Sequence, residues 1–122
     1  GLQLLFKSSE ESPGVRGLGL LSGQVVRFPH QEGCKVPHMG WNQIRIKKEH
    51  CPLLGGVPDG AFVYYVHSYY VMPEAPDVIL AETHYSRIFT SMVWQANVYG
   101  TQFHPEKSQE TGLRILENFV RL

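Results

Sequence analysis

Apolar residues recur along this chain mostly at intervals of two, and fall into helical spacing only near its two ends. Leu2, Leu5 and Phe6 occupy positions i, i+3 and i+4, one helical face that would end in the polar stretch 7–14, where Ser12, Pro13 and Gly14 signal a loop. Residues 18–28 carry Leu20, Leu21, Val25, Val26 and Phe28 around a Ser22–Gly23 break, predicting two short strands or one bent strand. Residues 29–37 are polar and turn-rich. In residues 41–46, Trp41, Gln43 and Arg45 alternate with Asn42, Ile44 and Ile46, the period of a half-buried strand. Pro and Gly mark 50–60 as a connection with at most one helical turn, at Pro52, Leu53 and Leu54. Aromatic and β-branched residues make 61–71 the strongest strand. A further strand is expected over 78–83, and a hairpin from 88–94 and 97–103 around Gln95 and Ala96. Leu113, Leu116, Phe119 and Val120 share one face of a closing helix over 109–122, with Ser108 as N-cap and Glu110 in its first turn. Four to six strands and one closing helix describe a strand-rich α/β chain without internal repeats.

Composition narrows the class. Hydrophobic residues at 43% suffice for a core, and 11 basic against 11 acidic residues leave no net charge. That balance lacks the basic excess of a nucleic-acid binder. The longest clean apolar stretch, 61–66, falls far short of the ~20 residues of a membrane-spanning helix, and no secretory signal pattern is visible. Two cysteines, Cys34 and Cys51, do not make a disulfide framework, so a reduced, cytoplasmic setting is expected. The opening Gly1-Leu2-Gln3-Leu4-Leu5-Phe6, apolar and without a polar lead-in, reads as the interior of an element and hence as a piece of something longer.

The sharpest chemical context is Gly100-Thr101-Gln102-Phe103-His104-Pro105-Glu106-Lys107-Ser108. Pro105 biases His104 toward extended backbone, and in extended chain residues i and i+2 project to the same side. His104 and Glu106 are therefore expected to meet at the end of a strand. A carboxylate accepting the Nδ1 proton fixes the imidazole tautomer and leaves Nε2 to take a proton from a nucleophile. Taken alone, a His-x-Glu pair more often describes a solvated surface turn.

The wider pattern separates the two. The 100–108 segment closely resembles the His-and-Glu segment of the class I, triad-type glutamine amidotransferases, and Gly1-Leu2-Gln3 resembles the second half of that family's nucleophile elbow, Gly-x-Cys-x-Gly-x-Gln. Pro37-His38-Met39-Gly40-Trp41-Asn42 resembles the signature of the glutaminase subunits of imidazole glycerol phosphate synthase, and Tyr64-Tyr65-Val66-His67-Ser68-Tyr69 fits the same subunits' strand. The resemblance covers nearly the whole chain, in the right order and at plausible spacing. It implies hydrolysis of glutamine through a thioester, with ammonia passed to the β/α barrel of a cyclase subunit in histidine biosynthesis. It further implies His104 as base and then acid, Glu106 as its orienting carboxylate, and Gln3, Tyr64, Ser68 and Tyr69 as residues that hold glutamine. Pro37, Met39, Trp41, Asn42 and Lys107 would face the cyclase; the simpler alternative for Trp41 is burial in the core. No cofactor or metal is implied.

One departure matters as much. The family's catalytic cysteine lies two residues before the glycine matched by Gly1, so this sequence does not include it, nor the family's N-terminal strands and glycine-rich oxyanion strand. Cys34, between Gly33 and Lys35, and Cys51, between His50 and Pro52, do not follow a strand into the tight strand-to-helix turn that exposes a nucleophile. The chain alone is thus expected to be inactive, and a catalytically dead binding or complementing fragment is the main alternative. A small metal module of Cys34, His38, His50 and Cys51 is a further one, although its C-x3-H-x11-H-C spacing matches no standard zinc pattern. The expected fold is the C-terminal part of a flavodoxin-like α/β domain, a largely β surface insertion occupying about 17–41. Without the missing strands, one sheet edge should be unpaired and the isolated chain poorly soluble.

Overall fold

The computed structural model describes residues 6–9, 21–29 and 33–122. Among these, nine strands, three short 3-10 turns and one α-helix follow in order. Strand β1 (Phe6–Ser9) stands where the end of the first expected helix was placed; the rest of that helix, 2–5, lies outside the described residues. Strand β2 (Leu21–Arg27) is one continuous strand that pairs in parallel with β1, Phe6 opposite Leu21 and Ser9 opposite Val25. It also pairs antiparallel with β6 (Tyr69–Pro73), Val25 opposite Val71. From Leu21 onward this segment is therefore part of the main sheet rather than a surface insertion, because Leu21 and Val25 bury their side chains at period two.

The expected strand over 61–71 divides at Ser68 into β5 (Phe62–His67) and β6, and the two halves enter different sheets. Strand β5 pairs antiparallel with β3 (His38–Gln43), Trp41 opposite Tyr64 and His38 opposite His67. Strand β6 joins the seven-stranded sheet, whose path is β1-β2-β6-β8-β7-β4, with β9 added alongside β8. Here β4 is Arg45–Ile46, β7 Ile79–Tyr85, β8 Arg87–Gln95 and β9 Val98–Thr101. Apart from β1 with β2, all pairs are antiparallel among the described residues. The alternation read over 41–46 holds: Ile44 is buried while Trp41, Gln43 and Arg45 face outward. The Ile44 N–H donates to the Ala61 carbonyl at 3.0 Å, in register with the β3–β5 pairing, before Arg45 and Ile46 pair with β7 instead.

Strand β8 explains the core. Phe89 through Val93 are all buried, Thr90 and Ser91 included, an unbroken buried run of the kind found where both sheet faces are covered. Met92 joins one cluster, with Ile44, Tyr65, Leu80, Phe103 and Ile115, and its neighbour Val93 joins another, with Leu21, Val25, Val71 and Val78. Successive strand residues point to opposite faces, so the two clusters lie on either side of the sheet.

Helix α1 (Gln109–Val120) forms as expected but packs through a different face. Gly112 and Ile115 are its buried residues, and the Asn118 amide donates to the carbonyls of Leu53 and Gly55 at 2.9 and 2.8 Å. The apolar stripe of Leu113, Leu116, Phe119 and Val120 faces away from the described residues, Val120 being 82% exposed. Helical spacing correctly identified a stripe, yet a short helix of this kind carries two apolar faces, and only the Ile115 side finds the sheet.

Candidate active site

Strand β9 delivers the chain to a turn that is fastened at both ends to strand β5. His104 has φ −98° and ψ 102°, the extended backbone that Pro105 imposes. Its N–H donates to the Tyr64 carbonyl at 3.0 Å, and the Tyr64 N–H donates back to the Ser108 hydroxyl at 2.9 Å. That hydroxyl donates in turn to the His104 carbonyl at 2.7 Å, closing a loop of backbone and side-chain bonds around residues 104–108. Ser108 precedes α1 as expected, but its hydroxyl makes no cap to the helix; it is engaged by the turn and by β5 instead. Between them, Pro105–Lys107 form a single 3-10 turn that brings Glu106 back over His104.

The result is the pairing expected from residue spacing. His104 Nδ1 lies 2.9 Å from Glu106 Oε1, with both side chains partly open to solvent. With Nδ1–H donating to the carboxylate, Nε2 is the ring nitrogen left with a free lone pair, an arrangement chemically able to accept a proton.

Behind this turn lies an arrangement that spacing did not reveal. The rings of His38 and His67 meet in the interior, His38 Nδ1 at 2.9 Å from His67 Nε2, and are only 3% and 6% exposed. Burial, reinforced by the mutual repulsion of two imidazolium charges, lowers His38 to a pKa of about 4. Burial likewise lowers His67 to about 4, against a hydrogen bond to the Tyr69 carbonyl and with the charge of His104 adding to the effect. The pair sits among Phe28, Tyr65, Tyr85 and Phe89. Its sequence signal was available: in β5 the alternation that buries Val63 and Tyr65 also points His67 inward, and the antiparallel register sets His38 opposite it.

The remaining expected residues divide by position. Tyr64 is tied to the 104–108 turn through its backbone, while its ring stands edge-on to Trp41 at 5.8 Å between centroids. Ser68 and Tyr69 form the corner between β5 and β6. The Ser68 carbonyl accepts from Phe28 N–H, and the Tyr69 ring lies beneath Arg27. Gln3 lies outside the described residues. Met39 and Trp41 are 63% and 46% exposed, so Trp41 is not a core residue, and Phe62 extends the same face. Pro37 and Lys107 are exposed as well. Asn42 turns inward: its amide donates to the His84 carbonyl at 2.9 Å and reaches His38 Nε2 at 3.3 Å.

Neither thiol has the setting of a nucleophile. Cys51 is buried, and that burial raises its pKa against hydrogen bonds from Leu53 and Leu54. Cys34 is half-buried in a short bridge. Among the described residues no group of three or more His, Cys, Asp or Glu side chains is placed to hold a metal. His38, the central member of the metal alternative, is instead engaged with His67 and Asn42.

Comparisons with known proteins agree in one direction. The sequence profile of the family Glutamine amidotransferase class-I matches residues 1–122. The chain is 57% identical over 127 residues to the imidazole glycerol phosphate synthase subunit HisH of Thermococcus kodakarensis, covering all of this chain and 63% of that one. It is 49% identical to the HisH subunit of Methanocaldococcus jannaschii, over 100% of this chain and 60% of the relative, and 52% identical to that of Aquifex aeolicus, over 99% and 57%. The chain thus spans about three-fifths of the length of the curated relatives it matches. A crystal structure from Thermoplasma acidophilum, of a candidate GMP synthase component, superposes with a TM-score of 0.61 at 23% identity, covering 81% of this chain and 47% of that one. That likeness shows a shared α/β fold with a closing helix.

Proposed function

Because this chain belongs to the class-I glutamine amidotransferases, we propose that it is the His–Glu half of a glutaminase that serves an imidazole glycerol phosphate synthase. The observation that carries the reading is the His104–Glu106 bond at the end of β9, in a chain about half identical to HisH subunits throughout its length. In this reading His104 Nε2 takes the proton of a cysteine thiol, and the thiolate attacks the side-chain carbonyl carbon of glutamine. His104 then gives that proton to the departing nitrogen, so ammonia leaves and a thioester remains. The same ring deprotonates water for hydrolysis to glutamate and restores the thiol. Glu106 holds Nδ1–H throughout and stabilises the imidazolium.

The thiol belongs to the family's nucleophile elbow, whose second half Gly1-Leu2-Gln3 resembles. Neither Cys34 nor Cys51 replaces it, so the 122-residue chain by itself is inactive. Gln3, Tyr64, Ser68 and Tyr69 hold the amino-acid part of glutamine. Met39, Trp41 and Phe62, aligned on the outer face of the β3–β5 pair, form with Pro37 and Lys107 the surface that meets the cyclase barrel. An aromatic anchor in an apolar patch is what such an interface uses. Ammonia then passes to the cyclase for histidine biosynthesis, in the cytoplasm. Among the described residues no helix is long and apolar enough to cross a membrane.

The test is ammonia release from glutamine by the cysteine-bearing protein that carries this sequence, measured with the cyclase partner and its ligand. Activity that depends on His104 supports the reading. A protein that binds the cyclase but releases no ammonia would favour the complementing-fragment alternative.

A further inference from the structure

The proton transfers above make no use of the buried His38–His67 pair, yet it lies on an unbroken path from strand β3 to the catalytic turn. Hydrogen bonding leaves each ring one tautomer. The Tyr69 carbonyl can only accept, so His67 Nδ1, at 2.8 Å, carries the proton and His67 Nε2 accepts. His38 Nδ1, at 2.9 Å from that nitrogen, must then carry its proton, which leaves His38 Nε2 to accept from the Asn42 amide. The donors run in one direction, from Asn42 beside exposed Trp41 to the β5–β6 corner.

Packing follows the same route. The His38 ring is stacked between Tyr85, with centroids 3.9 Å apart, and Tyr65, at 4.8 Å. Tyr65 in turn meets Phe103 edge-on at 5.9 Å, and Phe103 is the buried residue before His104. The neighbour of Tyr65 on β5 is Tyr64, whose carbonyl holds the His104 N–H.

We propose that His38 and His67 are positioning residues, a tautomer-locked pair that holds the His104 turn against β5 in an orientation set by strand β3. The arrangement of the face carrying Trp41 is thereby transmitted to the ring that moves the proton. Only the kinetic consequence rests on the glutaminase reading; the tautomers and the effect on His104 do not.

Two measurements on the full-length protein carrying this sequence test it. Long-range proton–nitrogen NMR at neutral pH should show both rings protonated at Nδ1; an Nε2–H tautomer in either ring overturns the relay. His38→Phe keeps a flat ring but removes the donor to His67. It should shift the His104 ring nitrogens and lower kcat for ammonia release at least tenfold in the cyclase complex, with KM for glutamine within twofold. His38→Asn, whose amide reoccupies the Nδ1 position, should bring kcat back to within threefold of wild type. Unchanged kcat and unchanged His104 resonances in His38→Phe, with only the melting temperature lowered, would reduce the pair to packing. If the wild-type complex releases no ammonia, the glutaminase reading fails, while the tautomers and the His104 resonances still decide this proposal.

Discussion

Gly112, in the first half of helix α1, faces the carbonyl group of Pro105 so closely that a Cβ on Gly112 would overlap its oxygen and lie 2.7 Å from its carbon. The helix therefore rests directly on the backbone of the His104–Ser108 turn, and the missing side chain is what lets it do so. The contact explains why a residue that weakens helices stands inside the closing helix.

Gly112→Ala should destabilise the protein. On an unobstructed helix the change would stabilise by ~1 kcal/mol, but here the obstruction is backbone, which cannot rotate aside. Overpacking of this kind costs ~1–3 kcal/mol. Denaturant unfolding checks the sign: a midpoint unchanged or raised would show that α1 slides off the turn without cost.

Ser108→Ala should be destabilising by ~1–3 kcal/mol, because it leaves the Tyr64 N–H without its acceptor in a nearly closed site and frees the His104 carbonyl. Ser108 is 1% exposed, so water cannot readily take the place of the hydroxyl. Ser108→Thr, which keeps the hydroxyl, is the control for volume. An alanine variant as stable as wild type would mean that β5 and the turn are held by packing alone.

How much of this was legible in the residues follows from what each inference required. His104 and Glu106 could be paired from local rules, since Pro105 restricts one backbone and a single turn does the rest. The hairpin of β8 and β9 and the closing helix were legible for the same reason. The split of 61–71 at Ser68 was not, because both halves are apolar and β-branched and only their partners, β3 for one and β2 and β8 for the other, distinguish them. The His38–His67 pair joins residues 29 positions apart and needed the strand register before either ring could be assigned a neighbour. Periodicity placed the Leu113 stripe on one face of the helix, and it reports that a face is apolar but not which surface covers it.

Acidification should destabilise the fold between about pH 6.5 and 4. His38 and His67 each titrate near 4 when folded and near 6.5 when free, so above pH 6.5 both are neutral in either state and folding is unaffected. As pH falls through 6.5 the unfolded chain takes up protons that the native pair refuses, and stability declines until about pH 4, below which both states are protonated. The loss approaches on the order of 3 kcal/mol per ring. Thermal melts across this range should show the slope, and His67→Gln should flatten it. A slope unaffected by removing the pair would place the acid sensitivity elsewhere.

Trp41→Ala should weaken binding of the cyclase partner by ~2 kcal/mol or more, as loss of a central aromatic anchor does, while shifting the melting temperature little. At 46% exposed, the ring has too little buried surface for the ~3–5 kcal/mol stability loss of a core tryptophan. Titration with the partner alongside a melting curve separates the two, and lost stability with unchanged binding would assign Trp41 to the fold.

On the proposed glutaminase reading, His104→Ala and Glu106→Gln should differ in depth in the cysteine-bearing protein that carries this sequence. Removing His104 removes the proton carrier itself: the thiol is no longer ionised, and the departing nitrogen is no longer protonated. Ammonia release should fall by at least ~10⁴-fold, leaving what substrate binding and oxyanion stabilisation supply. Glu106→Gln keeps a side chain of the same length within reach of Nδ1 but loses the charge that stabilises the imidazolium. Its amide can also donate toward Nδ1 and favour the wrong tautomer, so a loss of about 10²–10⁴-fold is expected. The bond between the two is partly exposed, which screens the charge and places Glu106 as the milder of the two losses. Glutamine hydrolysis in the cyclase complex measures both, and full activity in the His104→Ala enzyme would remove His104 from the reaction.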